Sequence, residues 1–197
     1  MSEQDPRWQQ LMNAGFRCSS CGQKHRGLMD LAIDHPGLWP SERVGEREPN
    51  SAVTGRTDVL TPDFCIIDGE DHFVRCVLRL PIVGLGLAGK EHVFSYGVWS
   101  SLSAANFQLY VDSFDSPRQG ELGPWFGWFS NSLKGYPETT SLKCQVHPQN
   151  DGQRPFLELE PTDHPLSVEQ REGVTLDRLF DIFALNGHDL LVGAEWN

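Results

Sequence analysis

The chain has 197 residues, 39% of them hydrophobic and 22% charged, with six Trp and eleven Phe, a composition that supplies a core and excludes the disordered class. No apolar run reaches the roughly 20 residues of a membrane-spanning helix, and no basic stretch followed by an apolar one opens the chain, so we expect no membrane contact and a cytoplasmic address. The net charge of -11 argues against nucleic-acid binding, whose affinity comes from Lys and Arg on phosphates.

The spacing predicts a short first helix, with Asp5 as its N-cap, Pro6 at its first position, and Trp8, Leu11 and Met12 on one face. Gly15 ends it, and a Cys-x-x-Cys-Gly knuckle follows at Cys18–Gly22. Residues 34–62, rich in Pro, Gly, Glu and Arg, read as a long surface connection. Phe64–Ile67 and Phe73–Leu80 flank Asp68-Gly69-Glu70-Asp71, the composition of a hairpin turn. In the second arm Val74, Cys76, Leu78 and Leu80 share one face and Arg75 and Arg79 the other, and Pro81 closes it.

Gly84–Gly89 reads as a loop, and Val93–Trp99 resumes as a strand. Ser103 is an N-cap for a helix carrying Phe107, Tyr110, Val111 and Phe114. Phe126–Phe129, Leu142–Val146 and Phe156–Leu159 are short strands. Thr175 caps a last helix bearing Leu176, Leu179, Phe180 and Phe183, which Asn186-Gly187 terminates. We therefore expect an α+β fold with a mostly antiparallel sheet, two or three helices and an N-terminal knuckle. The expected organisation is one domain, 1–197, with a helix-and-knuckle segment at 1–33, the connection at 34–62 and the α+β body at 63–187.

Four patterns bear on chemistry. Cys18 and Cys21 have the separation that lets two thiolates hold one tetrahedral zinc, and Gly22 lets the chain turn beneath it. His25 lies within reach of the same ion, and Cys65, Cys76, Cys144 or His35 are candidates to complete the shell. A metal-free turn and a redox pair fit the same spacing. A zinc here would be structural, because nothing nearby supplies a general base. The run Gly84–Lys90 satisfies Gly-x-Gly-x-x-Gly, but a strand follows it where phosphate binding needs a helix, and Glu91 stands where a magnesium-holding hydroxyl belongs, so we assign no nucleotide cofactor.

The densest polar run is Pro161–Gly173, which holds Asp163, His164, Ser167, Glu169 and Arg171. His164 with Asp163 or Glu169 would suit acid–base work in a small hydrolase. A cap by Thr162 or Asp163, with Glu169 and Arg171 in solvent, is the simpler account. The charge is also uneven: residues 151–197 carry ten acidic side chains against three basic ones, a face suited to a basic protein partner or to solubility alone.

Several segments together carry a resemblance: Phe16–His25, Cys65–Asp68 with Phe73–Arg75, Gly97–Ser103, Phe126–Asn131 and, longest, Glu158–Gly173. Their order and spacing resemble a bacterial family of uncharacterised proteins, domain of unknown function 2199 (DUF2199), over roughly residues 14–185. The resemblance implies no activity. It implies that the knuckle and the Asp163-His164 run are family features, and it leaves the glycine-rich stretch unmatched. From residues and resemblance together we expect a bacterial binding or interaction protein with a structural zinc on Cys18, Cys21 and His25, the alternative being the hydrolase built on His164.

Overall fold

The computed structural model describes residues 5–18, 22–85 and 92–188. The Asp5 carboxylate accepts from the Arg7 backbone N–H at 2.9 Å and Pro6 opens α1 (Pro6–Gln9), the local solution that Asp-Pro favours. A π-helical turn, Gln10–Ala14, extends it to Gly15, whose φ of 73° reverses the chain. Trp8 and Leu11 are buried. Two short strands, β1 (Phe16–Arg17) and β2 (Lys24–His25), then pair antiparallel, apart from the main sheet.

β3 (Leu31–Ala32) leads into the segment 34–62, which holds two 3-10 turns and β4 (Val59–Leu60). It has no long element, yet Trp39, Val53, Val59 and Leu60 pin it to the body. The expected hairpin joins β5 (Phe64–Ile67) to β6 (Asp71–Ile82). Its turn has φ of 53° at Asp68 and 70° at Gly69, the positive values that suit Asp-Gly. The arm does not close at Pro81. β6 passes through it, because no strand is bonded to the side where its missing N–H would point, while its carbonyl accepts from Val174 N–H at 2.8 Å.

β7 (His92–Leu102) pairs with the whole of β6. α2 (Ala104–Asp112) follows, capped by Ser103. Then come β8 (Trp125–Trp128), β9 (Lys143–His147), β10 (Phe156–Leu159), α3 (Pro165–Glu172) and α4 (Leu176–Leu185), the last capped by Thr175. The sheet order is β3-β7-β6-β10-β9-β8, with β5 attached to β6 and β4 to β5. A bridge between Ser100 and Phe129 folds the β8 end back toward β7.

The sheet is mixed, which corrects the mostly antiparallel expectation. β5 covers only the first part of β6. β10 takes the vacant stretch beside Val77 and Leu78 and runs parallel to β6, while β3 runs parallel to β7. Four α-helices are present among the described residues, where two or three were expected. The addition is α3, whose only fully buried apolar residue is Leu166. Such a helix carries almost no amphipathic signal.

Val74, Cys76, Leu78 and Leu80 are 0% exposed and pack with Phe94, Val98, Val146, Leu157, Leu179 and Phe183 in the main core. Each such side chain contributes roughly 1.5–3 kcal/mol on burial. A smaller cluster on the other face of β6 gathers Trp39, Leu60, Cys65, Ile67, Phe73 and Trp99. Arg75 lies over the Trp99 ring at 6.0 Å and is itself buried.

Candidate functional site

The β1–β2 hairpin positions the first thiol. Gly15 is required at its foot, since a Cβ there would stand 2.3 Å from the His25 carbonyl oxygen. Cys18 N–H donates to Gln23 O at 2.9 Å, and Gly22 N–H to Cys18 O at 2.8 Å, so the chain turns back directly after Cys18. The Arg17 guanidinium closes the same turn on Gly22 O at 2.7 Å. Cys18 is 0% exposed, and His25, on β2, is half-buried. Cys21, the second thiol of the expected knuckle, lies outside the described residues.

The end of α4 meets this turn. Gly187 N–H donates to Ala184 O at 3.0 Å and His188 N–H to Phe183 O at 2.8 Å, with Gly187 at φ 85°. That pair of bonds is the Schellman termination, and it folds the residue after the glycine back over the helix. His188 is thereby brought beside the hairpin: its Nδ1 is 3.6 Å from Cys18 Sγ, and its ring centre is 6.2 Å from that of His25, at 77° between planes. At the other end of α4, Arg7 ties the N-terminal segment to the helix start, with Nη1 2.5 Å from Asp177 and its guanidinium over Phe180 at 5.5 Å. Among the described residues, no three ligand-type side chains surround one point.

The other candidates for the shell are engaged elsewhere. Cys65, Cys76 and Cys144 are buried in β5, β6 and β9. Burial pushes the Cys65 thiol up to about 12 and Cys144 to about 11, and raises Cys76 well above the usual thiol range. Cys144 Sγ contacts Ser100 Oγ at 3.3 Å, and the His35 ring bonds Pro36 O at 2.9 Å.

The polar run folds as a helix start preceded by a turn that Thr162 caps, its Oγ1 accepting from His164 N–H at 3.3 Å, while Asp163 caps nothing among the described residues. His164 is the N-cap of α3: its Nδ1 accepts from Leu166 N–H at 3.2 Å, Pro165 follows at the first position, and Gly173 at φ 90° ends the helix. Pro165 and Gly173 were the signal available in the sequence. Asp163 is exposed. Glu169 is not in open solvent, since it takes Arg178 Nε at 2.8 Å and the Tyr136 hydroxyl at 2.5 Å. Arg171 donates to Ser167 Oγ at 2.6 Å. No hydrogen bond or ion pair joins His164 to Asp163 or Glu169 among these described residues.

A groove of about 550 Å³ opens elsewhere, lined by Leu38, Asp71, Phe73, Ser101, Trp128 and Thr140 among others. Trp128 and Phe126 are exposed beside it, ring centres 5.2 Å apart. Of the acidic C-terminal residues, Glu158, Glu160, Glu169 and Asp177 face His147, Lys143, Arg178 and Arg7. Asp163, Glu172 and Asp181 are exposed and form no ion pair among the described residues. The glycine-rich stretch lies outside those residues at 86–91, and a strand, β7, follows it.

A family model described as an uncharacterised protein conserved in bacteria, DUF2199, matches residues 17–174. The chain belongs to this family. The DUF2199 match begins at Arg17, one residue before Cys18, and takes in β2 to α3, while α4 and His188 lie beyond it. No curated protein and no solved structure matches the chain. No helix among the described residues is long and apolar enough to cross a membrane.

Proposed function

We propose that this member of DUF2199 is a binding protein whose N-terminal hairpin is held by one structural zinc on Cys18, Cys21 and His25. The observation that carries the reading is the setting of Cys18. It is a fully buried thiol at the turn of a hairpin whose second strand bears His25, with a second imidazole against the sulfur. Cys21 enters through its spacing from Cys18. Two-residue strands bury too little to hold their own shape in water, and a metal supplies that missing stability. The groove beside Trp128 supports a binding role, being concave, partly aromatic and lined with hydroxyls.

The hydrolase alternative needs His164 beside Asp163 or Glu169, and these residues are committed instead to a helix cap, to solvent and to an ion pair. The proposed partner is a basic protein meeting Asp163, Glu172 and Asp181. Plasma mass spectrometry of the full chain tests the metal, with about one zinc per chain expected and lost in Cys18→Ser. No zinc in either protein, with folding unchanged, overturns the reading. Poly-lysine is the probe for the acidic face: binding that weakens with salt supports it, and no binding at low salt removes it.

A further inference from the structure

We propose that Arg75 anchors a binding site for a small organic carboxylate on the outer face of the sheet, apart from the N-terminal hairpin and from the groove beside Trp128.

The fold buries this arginine without a counterion. Alternation along β6 turns Val74, Cys76, Leu78 and Leu80 into the main core, and Phe73, Arg75, Val77 and Arg79 to the other face. Arg75 is only 7% exposed, yet its side chain makes no hydrogen bond and no ion pair among the described residues. Its Nε is sealed from solvent without an acceptor, whereas the two Nη groups are not sealed. A buried guanidinium is ordinarily paired, because an uncompensated charge is costly out of water.

The carboxylates that act on Arg75 are already taken. Asp34 Oδ1 stands 3.7 Å from Arg47 Nη2, and Asp63 receives Arg154 Nε at 2.7 Å and Asn50 Nδ2 at 2.7 Å. Burial first, then the charges of Arg154 and Arg47, lower Arg75 from the ordinary guanidinium range, against the pull of Asp34 and Asp63. Three guanidiniums thus share two carboxylates, a local excess of one positive charge in a chain whose net charge is -11. One bound monoanion neutralises it.

The surface beside the guanidinium suits the rest of such a ligand. Gly97 pairs with Val77 on one side and Ala32 on the other. A Cβ on Gly97 would stand 3.7 Å from Arg75 Nε, so the guanidinium leans over the room that the glycine leaves. Val77 and Gly97 are half-buried and Ala32 is exposed, which makes this strip apolar and open. Trp99, paired with Arg75 across the strands, backs the guanidinium at 6.0 Å. A carboxylate matches the planar fork of the two Nη groups and carries the single charge required, while a phosphate near neutral pH carries about 1.5–2.

The test titrates benzoate, acetate, inorganic phosphate and chloride into the full chain at constant ionic strength. Binding is read at the Arg75 Nε–H resonance in nitrogen-15 spectra and by the rise in Tm. Benzoate should shift that resonance saturably and bind roughly eight-fold tighter than acetate, the gain from about 50 Å² of ring face leaving water. Arg75→Met should weaken benzoate at least about ten-fold, through loss of charge-assisted hydrogen bonds. Its Tm should hold or rise, since the substitution removes a buried charge that has no partner. Arg75→Lys keeps the charge without the fork and should also bind more weakly than the native chain. Arg79→Met removes a charge from the same face, where the guanidinium lies 4.9 Å over Phe156, and should change affinity by less than about two-fold because that charge is exposed and screened. Absence of a saturable shift with either carboxylate in the native chain overturns the site, whether or not Arg75→Met folds. Equal binding of chloride or phosphate, or an equal loss in Arg79→Met, also overturns it and leaves only diffuse attraction between charges.

Discussion

Replacing Glu169 by Ala should destabilise the protein by about 2–3 kcal/mol. The carboxylate receives two bonds at once, from Arg178 Nε at 2.8 Å and from the Tyr136 hydroxyl at 2.5 Å, and so joins α3, α4 and the segment carrying Tyr136. Arg178 also lies 4.7 Å over the Tyr136 ring and donates to Gly135 O at 2.9 Å. Breaking a fully buried pair costs about 3–5 kcal/mol, because the surviving charge is left uncompensated. The pair here is 19% and 25% exposed at its side chains, and water recovers part of that cost. For a chain of this length the loss lowers Tm by about 4–12 °C. Urea unfolding followed by circular dichroism measures it, and Glu169→Gln, which keeps an acceptor for Tyr136, should lose less. A double-mutant cycle with Arg178→Met should give a coupling of about 1–2 kcal/mol. Coupling below about 0.3 kcal/mol, within additivity error, would refute the claim that Glu169 serves the fold.

Three further outcomes are expected. All three tyrosines, Tyr96, Tyr110 and Tyr136, are pushed above the ordinary phenol range by burial, so their folded values exceed the unfolded one near 10. Stability from this source is whole below pH 10 and falls as pH rises past it, and ultraviolet titration should show the phenols ionising together with unfolding. Separate ionisation near 10 in a folded chain would contradict their burial. Thiol labelling at pH 8 should leave Cys65, Cys76 and Cys144 unmodified, and a chelator should release Cys18 and Cys21 to the reagent. Labelling of the first three at the rate of an exposed thiol sinks that assignment. His164→Ala should cost about 1 kcal/mol through the lost cap on α3, whereas Asp163→Ala should change stability by less than about 0.5 kcal/mol. The reverse order in chemical denaturation would place the cap on the wrong residue.

Much of the local structure was legible in the sequence, because caps and turns are decided within a few residues. Asp5-Pro6, Ser103, Thr175 and Asn186-Gly187 mark helix ends in the structure where their chemistry places them, and Asp68-Gly69 makes the expected hairpin. The alternation along β6 foretold which side chains fill the core. Helix α3 escaped because it buries one leucine and a serine in eight residues, so its His-Pro start and Gly stop had no apolar stripe to frame them. The pairing of β10 with β6 was invisible, because a strand's partner depends on which edge is vacant once the others have assembled. The site divides in the same way. The spacing of Cys18 and Cys21 is a local property, readable in four residues. The place of His188 beside Cys18 depends on α4 packing against the N-terminal segment across nearly the whole chain, and only tertiary contacts act over such a separation.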